Sequence, residues 1–151
     1  MNLGAVSGRV PLVLLLTRLS IFLVMLMWTL DKFLNPDHAS AIFQSFYGVG
    51  GVGTTPMYVI GVIQLVLVIG FVIGFKKTIT YGAVLIMHGL STLVSFPRYL
   101  EPFQNLLFFA GWPMLAGCFA VFFLRDLDTL WVVDRSRKGL ERNSLEGDPT
   151  L

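Results

Sequence analysis

Arg18, Gln64, His88 and Trp112 each interrupt an otherwise apolar stretch of this chain. Polar groups cost free energy in lipid, so such positions point to a ligand, a pathway or an internal bond. Counting at 1.5 Å per helical residue puts Arg18 about 12 Å deep, His88 about 15 Å, Gln64 about 16 Å and Trp112 about 18 Å. That is one layer near the middle of a bilayer, with one residue from each of four helices. Helical phase groups Arg18, Met25, Thr29 and Lys32 on one face, and Tyr81, His88, Ser91 and Ser95 on another. Two such stripes would line an internal cavity, and a few convergent polar groups in an apolar pocket can orient a lipophilic ligand.

Each of these residues also has a plainer reading. Arg18 either snorkels to the nearer interface or holds a buried partner in the bundle. His88 could be a hydrogen-bonded packing residue, and Gln64 and Trp112 could join helices without touching a ligand. Beyond the layer, Asp31, Lys32, His38, Arg98, Tyr99 and Glu101 fall where the first and third apolar stretches end. They form either a solvated rim of mixed charge or the mouth of a binding site. Asp31 would then pair with Arg98 or face water. His88 lacks companions at metal-ligand spacing, so no metal site is expected. No nucleophile–base pair or dithiol is visible, so no residue is assigned a catalytic role and the chain is not expected to catalyse a reaction alone. Cys118 is expected to be an inert apolar packing residue.

The elements that must position these groups are long apolar helices. Of the 151 residues, 55% are hydrophobic and 13% are charged. Soluble domains carry about 25% charged residues. The net charge of +2 gives no reason to expect a nucleic-acid partner. Apolar stretches at about 10–30, 56–75, 79–96 and 104–124 each have the length that a helix needs to cross about 30 Å of hydrocarbon. The fold class expected is an all-α integral membrane protein, a bundle of four transmembrane helices. The first stretch is read as retained, because it is too long for a signal peptide and no small-residue cleavage site precedes Asp31. Residues 1–130 form the membrane domain, and 131–151 a cytoplasmic, partly disordered tail.

Arg9, Lys76, Lys77, Arg125, Arg135, Arg137, Lys138 and Arg142 fall on one side of such a bundle, against Lys32 and Arg98 on the other. The positive-inside bias puts both termini in the cytoplasm, and in a bacterium the bundle would sit in the inner membrane. Between the first two spans, Asn35-Pro36-Asp37 marks a helix start. Ile42, Phe43, Phe46 and Tyr47 then suit a short interfacial helix with its aromatics among the headgroups. Gly48 to Gly53 matches a GxGxxG pattern without the strand and helix that would give it meaning. Gly70 and Gly74 form a GxxxG that would allow close helix approach. Arg125 to Arg142 is expected to extend the fourth helix and then follow the inner surface, with Trp131 near the interface.

Arg18-Leu19-Ser20-Ile21-Phe22-Leu23 followed by Trp28-Thr29-Leu30-Asp31-Lys32-Phe33 resembles the first helix of the DoxX-like superfamily. Gly61-Val62-Ile63-Gln64, Ser95-Phe96-Pro97 and Phe123-Leu124-Arg125-Asp126-Leu127 are similar to helix ends of its YkgB-type members. The resemblance covers about residues 15 to 130. Two positions depart from the pattern. Asp31 stands where a small residue precedes the lysine, and Gln64 replaces an acid and cannot carry a proton. The resemblance implies a four-helix bundle with both termini inside, and an accessory or anchor subunit of a membrane redox system. A quinone-like lipophile would be the ligand, though no cofactor is certain. The partners would be the lipid bilayer and either other membrane subunits or further copies of the chain. Two alternatives stay open: a small oligomeric transporter or channel using the same polar layer, and a purely structural subunit of a larger membrane complex.

Overall fold

The computed structural model describes residues 3–51 and 53–134, with side chains from residue 8 onward. Six α-helices run in chain order: α1 (Leu3–Leu34), α2 (Pro36–Tyr47), α3 (Thr54–Val72), α4 (Lys77–Val94), α5 (Phe96–Tyr99) and α6 (Gly111–Phe123). Two 3-10 turns, Pro102–Gln104 and Leu106–Ala110, lead into α6. No strand occurs among the described residues. Three segments are long and apolar enough to cross a membrane: Gly8–Leu34, Thr54–Val72 and Leu106–Phe123.

The boundaries have local causes. Pro36 opens α2, where its missing N–H costs nothing, and Gly48 closes it in the left-handed conformation at φ 68°. Gly74 makes the turn between α3 and α4 at φ 63°. It lies beyond the end of α3, so Gly70 and Gly74 do not form a helical GxxxG face. A Cβ on Gly74 would stand 2.6 Å from the Val132 side chain, so the turn also needs glycine for close approach.

The helices α1, α3, α4 and α6 form a ring in that order, with α1 against α3 and α6, and α4 against α3 and α6. α2 folds back over α1 and α3. Leu14, Ile21, Met25, Val68, Phe71, Tyr81, Val84, Cys118 and Val121 form the buried core. These residues concentrate toward the Lys77 end of the ring. The Lys32 end is hollow.

α4 carries its polar residues inward. Lys77, Thr80, Tyr81, His88 and Thr92 are buried, while Ile79, Ile86, Leu90 and Leu93 on its other face are exposed. Exposed apolar side chains also cover much of α1, α3 and α6, including Leu16, Leu23, Val62, Val66 and Phe123. A water-soluble monomer rarely exposes so continuous an apolar surface, whereas a bilayer suits it.

The expected extension of the fourth helix does not form among the described residues. α6 stops at Phe123, and the chain turns back beneath the bundle. Val133 N–H donates to the Ile73 carbonyl at 2.9 Å and Asp134 N–H to the Gly74 carbonyl at 3.1 Å. These bonds clip a C-terminal strap, residues 124–134, onto the α3–α4 turn. Trp131 sits in this strap at φ 51°, with its side chain 76% exposed. The rest of the expected tail, 135–151, lies outside the described residues.

Candidate functional site

Arg18 belongs to the sealed end of the bundle. It is fully buried, and Nη1 donates to Asp128 Oδ2 at 2.6 Å and to the Tyr81 hydroxyl at 2.9 Å. Nη2 donates to the carbonyls of Leu130 at 2.7 Å and Trp131 at 3.1 Å. The Tyr81 hydroxyl donates in turn to Asp128 Oδ2 at 2.7 Å, and Lys77 Nζ donates to the Asp128 carbonyl at 2.7 Å. Arg18 therefore has a buried partner and does not snorkel. This network also explains the strap: two of its carbonyls are held by the guanidinium, and Trp131 keeps a left-handed backbone to present one of them. Such strain persists only where surrounding bonds over-determine it.

The single polar layer expected across the four helices is therefore not found. Arg18 bonds Tyr81, which lies about two turns from His88 along α4. Trp112 is 45% exposed and lies tilted against Tyr99, with ring centroids 5.6 Å apart. Gln64 and His88 do converge, on a different feature.

A half-open cavity of about 1040 Å³ occupies the Lys32 end, bordered by α1, α2, α4 and α6 and reached by α3 through Ile60 and Gln64. Its wall is mostly apolar, with Ile21, Val24, Met25, Trp28, Ile42, Phe43, Phe46, Met87 and Met114 among the lining residues. Polar groups enter at a few points: Asp31, Lys32, His38, Gln64, His88, Ser91, Thr92, Ser95 and Tyr99. Phe43, Phe46 and Tyr47, expected among lipid headgroups, line the roof that α2 makes over this space. Burial raises the Tyr47 phenol above its ordinary range, the Ser91 hydroxyl partly opposing the shift, so Tyr47 stays protonated at neutral pH.

The sequence-derived rim divides in two. Asp31 accepts from His38 Nδ1 at 2.8 Å and from Asn35 Nδ2 at 3.4 Å rather than from Arg98. Lys32 is 8% exposed, and its Nζ donates to the Trp28 carbonyl at 3.0 Å. Arg98 stands over the Phe46 ring at 5.6 Å, and Glu101 is exposed to solvent. Neither of these two lines the cavity, whereas Asp31, Lys32, His38 and Tyr99 do.

His88 is held from one side. Its Nε2 donates to the Gly111 carbonyl at 3.0 Å, with Thr92 Oγ1 at 3.4 Å beside it. Its Nδ1 is buried with no hydrogen-bond partner among the described residues. The Trp28 ring lies against the imidazole, at 5.9 Å between centroids.

Compared with protein-family models, curated proteins and solved structures, the chain matches none. The functional reading therefore rests on the chemistry of the cavity and of the sealed end.

Asp128 is the site residue that sequence reasoning missed. A buried arginine requires an acid, and Asp126 and Asp128 are the first two of the acids that follow the last span. That demand was the available signal. Choosing between the two needed the reversal after Phe123.

Proposed function

We propose that this chain is a DoxX-like membrane protein, an accessory or anchor subunit of a membrane redox system, whose cavity takes a quinone-like lipophile. The observation that carries the ligand reading is the cavity itself: about 1040 Å³ of mostly apolar space into which Lys32, Gln64 and His88 project. That volume suits a head group and part of a chain, and a few polar groups among apolar walls would orient it. The donor set fits such a ligand. Lys32 has donors beyond the one given to the Trp28 carbonyl, and the Gln64 amide offers two more, so ring oxygens would find partners. A quinone would supply electron-carrying chemistry when bound. The chain's own residues would bind and orient the head, and the α2 aromatics would keep water from it.

In this reading α4 is the third of four spans, its apolar face toward lipid and its polar face inside, and α2 lies at the outer interface as a roof. Both termini lie in the cytoplasm, by the charge bias of the loops, and the inner membrane is the location in a bacterium. A transport pathway is less well supported, because Arg18, Tyr81, Asp128 and the strap fill the end opposite the cavity.

Photolabelling with an azido-quinone in nanodiscs tests the ligand reading. Label should fall on α1, α2 or α4 residues that line the cavity and should be competed by unlabelled short-chain quinone. Label confined to outward-facing side chains such as Leu23, Val66 and Ile86, without competition, would overturn it.

A further inference from the structure

We infer that Lys32 and Gln64 form a seat for an oxyanion, so that the cavity selects lipophiles with an ionised head, a carboxylate or an acidic ring hydroxyl. This rests on the lipophile-site reading above and adds the charge of the head group. Lys32 and Gln64 are each 8% exposed, and both line the cavity. The Phe33 ring stacks on Tyr58 at 6.2 Å between centroids, and a Cβ on Gly61 would stand 3.3 Å from Lys32 Cβ. The order of these contacts makes α3 antiparallel to α1. From there Lys32 turns back along α1, where its Nζ donates to the Trp28 carbonyl at 3.0 Å. Gln64 follows Gly61 in that same direction, about 4.5 Å along the axis. The ammonium and the amide therefore come to about the same level on neighbouring walls.

Neither group has its bonding filled. The Gln64 amide makes no hydrogen bond among the described residues. The sealed side-chain atoms without a partner there are Arg18 Nε, His88 Nδ1 and Asp128 Oδ1, so neither polar atom of Gln64 is sealed. The amide is open to the space that it lines. Lys32 uses one of its three donors, and no ion pair joins it to a carboxylate among the described residues. Asp31 is adjacent in sequence but lies on another face of α1, where its carboxylate accepts from His38 and Asn35. A buried cation in an apolar wall is costly until a counter-charge meets it. An oxyanion in the cavity would supply that charge, take a charge-assisted bond from Lys32 and accept from the Gln64 NH2. A neutral head would take the bonds and leave the charge uncompensated.

Two matched pairs test this, each alike in shape and tail and different in charge at neutral pH. 4-Nonylbenzoate is compared with 4-nonylbenzamide, and ionised 2-hydroxy-3-nonyl-1,4-naphthoquinone with its 2-methyl analogue. Retention by the full chain in phosphatidylcholine nanodiscs would be measured against empty nanodiscs, which corrects for partition into lipid. In at least one pair the anion should bind about tenfold more tightly than its neutral partner, the effect of one charge-assisted hydrogen bond. The pair that shows the preference tells which acid the site takes. Lys32→Met should bring the two members of that pair close to equal affinity. Equal affinities within both pairs in the unaltered chain, or tighter binding of the neutral members, would overturn the oxyanion inference while leaving the cavity as a lipophile site. A preference that persists in Lys32→Met would overturn the seat. Retention of none of the compounds above empty nanodiscs would remove the lipophile reading and the inference with it.

Discussion

Asp128→Ala is expected to destabilise the protein by about 3–5 kcal/mol, the cost of leaving a buried charge without its partner. Arg18 and Asp128 are each fully buried, with 2.6 Å between Nη1 and Oδ2. Removing the carboxylate also takes from the Tyr81 hydroxyl the oxygen to which it donates. The guanidinium would keep only the Tyr81 hydroxyl and the carbonyls of the strap, none of which carries a full negative charge. Thermal unfolding in mild detergent, followed by tryptophan fluorescence, should show a midpoint lowered by on the order of 10 °C. The double variant Arg18→Met with Asp128→Leu should recover much of that loss, because an apolar pair of similar volume restores neutrality. A shift of under about 2 °C for Asp128→Ala would mean that water already screens the pair.

Lys32→Met should act in the opposite direction on stability. Lys32 is 92% buried (8% exposed), is joined to no carboxylate in an ion pair among the described residues, and donates to one backbone carbonyl. The Trp28 carbonyl it reaches lies within α1 and keeps its helical bond when the amine is gone. Methionine fills the same length without a charge to desolvate, so the ligand-free protein should gain about 1 kcal/mol or more. Binding should suffer, because Lys32 is the strongest donor at the cavity. Loss of a charge-assisted hydrogen bond predicts about tenfold or greater weakening for an oxygen-bearing lipophile. Parallel melts with and without short-chain quinol would reveal both effects. A variant that is less stable and binds unchanged would mark Lys32 as a structural residue.

Much of the fold was legible because the helix period leaves its mark on composition. The apolar lengths identified three segments able to cross a membrane, and Asn35-Pro36 with Gly48 bracketed α2. The stripes on α1 and α4 were also readable. Arg18, Met25, Thr29 and Lys32 are all buried, as are Tyr81, His88 and Ser95, whereas Ser91 is half-buried at the edge of its face. What could not be read was level and long-range pairing. Arg18 meets an acid 110 residues away, and the turn that brings it there follows Phe123 through Leu124-Arg125-Asp126-Leu127, with no glycine or proline to mark it. The cavity was expected from the two stripes, but its roof was not legible. The aromatics of α2 satisfy a lipid interface and a cavity wall equally well as a sequence pattern. Gln64, His88, Asp31 and Lys32 were found because polar groups are conspicuous in apolar helices. Arg98, Glu101 and Trp112 were singled out for the same reason, and the structure keeps them outside the cavity.

The most direct measurement is to isolate the full chain from its native membrane in a gentle detergent and quantify, by mass spectrometry, the lipophiles and proteins that remain with it. The same would be done for Ser91→Trp, which places a large side chain on the cavity wall. A redox-active lipophile near one per chain in the wild type, largely lost from Ser91→Trp, together with a companion redox protein, is the expected result. Ordinary phospholipid alone, in equal amount in both forms and with no companion protein, would contradict the assignment of the cavity and of the accessory role.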